Sequence, residues 1–463
     1  MNNKTGNNAN ESYRERALNH LWVQTQQYND LAAEDGLLFI EKGHGIYLEN
    51  MDGKKYIDAM SGLWVVAVGH GRNELAKIAE KQISELAFAN PFAYATPPAV
   101  DLASKLAELT PPSINKFFFV NSGSEAVETA IRMAKQYHYN NGESKRYKVI
   151  SRIGSYHGTT MGALSVNGSP MLNRAPFEPL LPGVVHVPNT NGFGEIKNEK
   201  TGLDDMFWAR YTEERIKFER PETIAAFIAE PISTSNGSHV PSKQYWEHIR
   251  KITKEHGILL IHDEVINGFG RTGKWFASEH FGIEPDLLTM AKQLSSGYAP
   301  IAAVGVSDHV AEGFVGEKED SFVGGTTWGA NPVSCAIALG NLEILESERL
   351  TSLSRRFAEW KLAQEIVKEE LVKGDIIVKD GSLQSNFINV TYYAFHLFFL
   401  ISVIAYYYYC SLLSSLPPSF NRQHSISCID CSRMIKGNMY GRSTTTHGIV
   451  VHDVITVSYT HLR

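Results

Sequence analysis

The chain is 463 residues long, 43% hydrophobic and 20% charged, with a formal net charge of −6. That length allows two or three domains around a large core, and the composition excludes a disordered or collagen-like chain. The slightly acidic balance gives no global attraction to nucleic acid or anionic lipid, which leaves small-molecule chemistry as the starting expectation.

The polar leader, MNNKTGNNANESYRER, has no apolar stretch of the secretory kind, so the cytoplasm is the expected compartment. Four cysteines cannot build a dense disulfide framework, and only Cys335 lies in the first 400 residues, as a reducing compartment would have it. In GIYLENMDGKKYIDAM, Asp52-Gly53 separates two short alternating runs and predicts a β-hairpin. From about Asp101 the pattern changes. Short apolar runs (KFFFV, YKVIS, IAAFIAE, GILLIHDEV) alternate with amphipathic stretches (AVETAIRMAKQY, YWEHIRKITKEHG). This alternation predicts an α/β fold, a parallel sheet with helices on both faces.

Ligands of open parallel sheets bind beyond the carboxyl ends of the strands, so the polar residues there carry the chemistry. After KFFFV, Ser122 and Glu125 fit a capping box and Gly123 allows close backbone approach. A helix N-terminus flanked by Ser122 and Ser124 suits a phosphate, although an ordinary capped helix reads the same way. After YKVISRIGS come Tyr156, His157 and Gly158, an aromatic face and an imidazole. Glu230 ends IAAFIAE, and Asp263 and Glu264 end GILLIHDE, where a carboxylate is costly without a partner. Lys292 follows the apolar run PDLLTMA; in a desolvated pocket its amine would be available for a Schiff base. Anion cradle, aromatic face, carboxylate and pocket lysine together are the parts that hold pyridoxal phosphate.

Beyond about Lys379 the pattern breaks. Tyr392 to Leu413 carries no charge and is long enough to cross a bilayer, and Ser- and Thr-rich sequence follows. A membrane anchor and a segment foreign to the fold both fit, and the abrupt onset favours the second. Cys428 and Cys431 form a C-x-x-C pair with no second pair, so no metal site is expected.

NSGSEAVETAIRMAK, SYHGTTMGALS, LLIHDEVINGFGRTGKWFASE, PDLLTMAKQLSSGYAPIAAV and GGTTWGANPVSCA resemble, in order, the motifs of class III pyridoxal-phosphate-dependent aminotransferases, from about Gly36 to Leu345. The resemblance implies fold type I: a large domain with a mostly parallel seven-stranded sheet, a smaller α/β domain, and a homodimer whose active sites are shared. The corresponding division is residues 1–60 (small-domain segment), 61–330 (large cofactor domain), 331–391 (start of the C-terminal small domain) and 392–463 (unrelated tail). By that resemblance Lys292 forms the Schiff base and moves the proton. Asp263 pairs with the pyridinium nitrogen, Val265 and Tyr156 cover the two ring faces, and Gly123 and Ser124 hold the phosphate. Thr327 reaches the phosphate of the neighbouring subunit, and Glu230 lies at the cofactor's edge.

SGLWVVAVGHGR resembles the ω-amino acid and amine:pyruvate branch, which points to Trp64 and Phe92 as substrate-pocket residues. The expected reaction is ping-pong transfer from an ω-amino acid or amine to a keto acid such as pyruvate. Two departures stand out. Gln293 follows the lysine where the family has a small residue, and should crowd the site. No segment after about Val390 supplies the arginine that binds the substrate carboxylate; Arg271 is a conceivable stand-in, with a structural ion pair as its simpler role. The alternatives are a cofactor-binding but inactive chain and an enzyme anchored through residues 392–413.

Overall fold

The computed structural model describes residues 12–351, apart from positions 34, 35, 170, 171 and 195. The apolar run 392–413, the Cys428–Cys431 pair and most of the expected C-terminal domain lie outside the described residues.

Ile40–His44 (β1), Tyr47–Asn50 (β2) and Lys55–Ile57 (β3) form a three-stranded antiparallel sheet. The predicted hairpin is its second half: Tyr47 pairs with Ile57, and Gly53 takes the positive φ of 79° that the tight turn needs. Asn50 supports the turn, its side-chain oxygen accepting from the Asp52 and Lys54 N–H groups.

The main sheet has seven strands: Ile114–Val120 (β4), Lys148–Arg152 (β5), Val184–Val187 (β6), Ile224–Ala229 (β7), Leu259–Asp263 (β8), Leu287–Met290 (β9) and Ala302–Ser307 (β10). Their spatial order is β4-β10-β9-β8-β7-β5-β6, and only β10 runs against its neighbours. The continuous apolar runs read from the sequence are strands buried on both faces; every residue of β7 and β8 is buried. On one face Ala226 and Ile228 pack with Ala126, Val127, Ala130 and Ala134 of the helix Gly123–Asn140 (α1). On the other, Phe227 and Leu260 meet Tyr245, Trp246 and Ile249 of Lys243–Glu255 (α2), while Met290 and Ala303 meet Leu106 of the helix Pro97–Leu109 and Leu342 of Pro332–Ser347 (α3). The alternation of side chains along each strand delivers the two sets to opposite layers.

One consequence places the site. Strands β4, β5, β7, β8 and β9 are parallel, so their carboxyl ends open on one edge of the sheet.

Candidate active site

Gly123, Ser124, Tyr156, His157, Gly158, Glu230, Asp263, Val265, Ile266 and Lys292 line one cleft at that edge. They come from five parallel strands, β4, β5, β7, β8 and β9, at the end of the strand or in the turn after it. Eight are residues expected at the site from the sequence; Gly158, read only as the residue after His157, and Ile266 complete the lining. Ser122, Thr327, Trp64 and Phe92 do not line it.

Lys292 sits directly beyond β9 in a tight turn and takes the left-handed backbone, φ 48°, that a non-glycine residue adopts only when its surroundings enforce it. Burial pushes its ammonium below the ordinary lysine range; Arg271 adds to that effect, while Asp263 and Glu230 oppose it. The apolar strand, which ends at Met290, thus carries the amine of Lys292 into a desolvated cleft.

Asp263, 4% exposed, ends β8 and accepts from three protein donors. Its Oδ1 accepts from the Val265 N–H and the Thr289 hydroxyl, both at 3.1 Å. Its Oδ2 accepts from His157 Nδ1 at 2.7 Å. The partner expected for this carboxylate was a ligand nitrogen, and the protein supplies a histidine as well. His157 Nε2 is buried and has no partner among the described residues. Glu264 points elsewhere, accepting from Ala277 N–H, Ser278 N–H and the Ser278 hydroxyl at 2.6–3.0 Å. Glu230, 3% exposed, accepts from the Ser235 hydroxyl, and burial raises its carboxyl above the usual range.

Helix α1 begins at Gly123 with Ser122 as N-cap, its Oγ accepting from the Glu125 N–H at 3.2 Å. The capping box is not closed as expected: the Glu125 carboxylate accepts from Asn121, one residue earlier than Ser122. Ser122 itself faces solvent, whereas Ser124 points back and accepts from the Thr159 N–H. A Cβ at position 123 would stand 3.0 Å from Val265 Cγ1, and one at position 158 would stand 2.5 Å from Ser124 Oγ. Both glycines keep backbone at the cleft wall.

Pyridoxal phosphate fits this cleft on observations of the protein alone. Free N–H groups at the start of α1 beside the glycine wall could hold its phosphate. The desolvated Lys292 amine could meet its aldehyde, and Asp263, backed by His157, could meet its ring nitrogen. Tyr156 and Val265 could take the two ring faces.

The other expected residues have different surroundings. The turn Ser61–Trp64 is held by Asp58, which accepts from the Gly62 N–H at 2.7 Å and from His70 Nε2 at 2.8 Å. Phe92 is 69% exposed, close against Gly325, and Thr327 is exposed in the loop between β10 and α3. Arg271, 2% exposed, donates from Nη2 to the Trp64 carbonyl at 3.1 Å, so it is no ready anchor for a substrate carboxylate. Nor does Gln293 crowd the cleft: it is buried and turned toward Arg271. The sequence holds no signal for either pairing, which joins residues far apart in the chain.

The aminotransferase class-III family model matches residues 30–371. A putrescine–pyruvate aminotransferase of Pseudomonas aeruginosa is 39% identical over 351 residues, covering 76% of this chain and 76% of that protein. An (S)-enantioselective ω-transaminase of Thermomicrobium roseum superimposes with a TM-score of 0.68 at 40% identity, covering 73% of this chain and 75% of that one. The ω-transaminase of Pseudomonas jessenii, solved in complex with PMP, gives 0.69 at 39% identity, with coverages of 74% and 76%.

Proposed function

The chain belongs to the class III aminotransferase family, and on that premise we propose which residues carry its reaction and which amines it takes. It is a pyridoxal-phosphate enzyme that moves an amino group to a keto acid. When bound, the cofactor supplies an aldehyde that captures amines and a cationic ring that draws electrons from the carbon losing its proton. The convergence of Lys292, Asp263 and the start of α1 in one cleft supports the following roles.

Lys292 would hold the cofactor through its aldehyde, and its Nζ would accept and return the proton that moves during transfer. Its burial favours the neutral amine both tasks need. Asp263 would face the ring nitrogen and favour its protonated form, with its three protein donors fixing where the carboxylate lies. Gly123 and Ser124 hold the phosphate, with Ser122 capping the helix behind them. Tyr156 and Val265 would cover the two ring faces, and Glu230 would lie at the ring's edge. Residues 61–330 are assigned to the cofactor domain, and α3 packs on its sheet through Leu342.

Trp64, Phe92 and Thr327 are assigned to a site completed by a second copy of the chain. Phe92, Tyr94 and Trp328 are 69%, 68% and 59% exposed, and the Phe88 and Trp328 rings meet at 5.4 Å. An apolar patch of this kind beside Thr327 suits a homodimer interface. Among the described residues no helix is long and apolar enough to cross a membrane; the cytoplasm rests on the sparse cysteines, of which Cys335 is free and buried.

The donor is an ω-amino acid or amine and the acceptor is pyruvate, in keeping with the names of the P. aeruginosa and T. roseum relatives. The test is alanine formation from pyruvate with a series of diamines, ω-amino acids and aryl amines. Alanine from ω-amines supports this reading; glutamate formed from 2-oxoglutarate, with no alanine from any donor, would refute it.

A further inference from the structure

We propose that Arg271 is a positioning residue for amino transfer, its guanidinium joining the turn that carries Lys292 to the turn that carries Trp64. The inference rests on the roles proposed above for Lys292 and Trp64.

Both turns are held in costly backbone. Lys292 and Ser296 have φ of 48° and 50°, and Ser61 and Trp64 have 49° and 56°. Such conformations persist only where neighbours over-determine them. On the far side each turn has its own support: Asp58 accepts from the Gly62 N–H, and Asn341 donates to the Gln293 and Leu294 carbonyls at 2.8 and 3.1 Å.

Arg271 lies between them. Its Nη2 donates to the Trp64 carbonyl at 3.1 Å. With the amide oxygen of Gln293 turned toward the guanidinium, that oxygen accepts from both Nε and Nη2, and the amide nitrogen donates to the Phe269 carbonyl at 3.0 Å. The opposite orientation sets acceptor against acceptor and donor against donor. The turns also pack directly, since a Cβ at Gly297 would stand 3.1 Å from Val65 Cγ1. A planar guanidinium fork holds a carbonyl and an amide in one fixed geometry, whereas the ammonium of a lysine, with three N–H donors on a single nitrogen and a flexible stem, does not fix their spacing.

The same placement acts on charge. The charged groups facing Lys292 are Asp263 at the end of β8, Glu230 after β7 and Arg271 in the loop after β8; Arg271 alone favours the neutral amine. Burial lowers the Arg271 guanidinium to about 10, so it stays cationic at neutral pH. Gln293 thus gains a reason to follow the lysine: it is the link between Lys292 and the cation.

The test uses full-length Arg271→Met, Arg271→Lys and Gln293→Met, each with pyridoxal phosphate. The first readout is the pH midpoint of the lysine-linked cofactor's absorption, taken without donor; the second is kcat and KM for a linear ω-amine and for an aryl amine. Arg271→Met should move the midpoint to higher pH and lower kcat/KM about 10- to 100-fold, changing both kcat and KM. Arg271→Lys should hold the midpoint near the parent value without restoring KM. Gln293→Met should lower kcat and leave KM within about twofold of the parent. A parent-like midpoint and kcat/KM in Arg271→Met, with only its melting temperature reduced, would overturn the inference. If Arg271→Met does not fold, parent-like kcat and KM in both other variants would overturn it equally. Absence of the band in the parent protein would instead bring down the reading of Lys292, and this inference with it.

Discussion

His157 and Asp263, 106 positions apart in sequence, meet in a buried hydrogen bond of 2.7 Å, with Nδ1–H donating to Oδ2. Both are at most 4% exposed, so neither can exchange its partner for water. The bond therefore fixes which face of the carboxylate is left for the cleft. Replacing His157 by Leu leaves Asp263 Oδ2 buried without its donor, a loss of about 1–3 kcal/mol. Pyridoxal phosphate should bind roughly ten- to a hundredfold more weakly, as read by absorbance titration of the variant. Unchanged affinity would mean that His157 has no part in holding the carboxylate.

Gly158 has φ of 124°, and a Cβ there would meet Ser124 Oγ at 2.5 Å and Ser124 Cα at 2.8 Å. The second contact is backbone of α1 and cannot turn away. Gly158→Ala should cost about 1–3 kcal/mol of stability. Because the strain lies at the proposed phosphate wall, cofactor affinity should fall as well. Thermal melts with and without cofactor check both effects: the variant should melt lower and gain less from added cofactor than the parent.

Glu264 is fully buried, and burial pushes its carboxyl up to about 7 from the ordinary 4.5 in spite of the donors from Ala277 and Ser278. An acid whose folded value lies above its unfolded value holds its proton longer in the folded state. Its contribution to stability is fully present below about pH 4.5 and is lost as pH rises through about 7. The difference amounts to about 3 kcal/mol. Denaturant melts of the parent and Glu264→Gln between pH 4 and 8 should diverge in that direction, the parent weakening relative to the uncharged variant. A pH-independent gap between them would contradict the assignment.

Most of the fold was legible because its strands are buried on both faces and read as uninterrupted apolar runs, as Ile224–Ala229 and Leu259–Asp263 do. The cleft was legible for the same reason: a carboxylate or lysine that ends such a run must face something other than the core. What the sequence withheld depends on contacts between distant segments. Nothing local announces that His157 will pair with Asp263, or that Gln293 will turn to Arg271 rather than into the cleft. Gly158 reads as one glycine among many until its positive φ and its contact with Ser124 are seen. The capping box misled by one residue, because Asn121 offers Glu125 both a backbone and a side-chain N–H. Trp64 and Phe92 lie outside the single-chain cleft, so their place in a substrate pocket rests on the second copy proposed above.

The central claim is that Lys292 carries the cofactor and answers an amine donor. The most direct measurement is the absorption spectrum of the purified chain with pyridoxal phosphate, before and after an ω-amine and then pyruvate, beside Lys292→Ala. The parent should show the lysine-linked band, lose it to the pyridoxamine form on adding amine, and regain it with pyruvate. Lys292→Ala should show no such band, and its turnover should fall by at least about three orders of magnitude with proton transfer and attachment lost together. A band of equal strength in Lys292→Ala, or no band in the parent, would contradict the account.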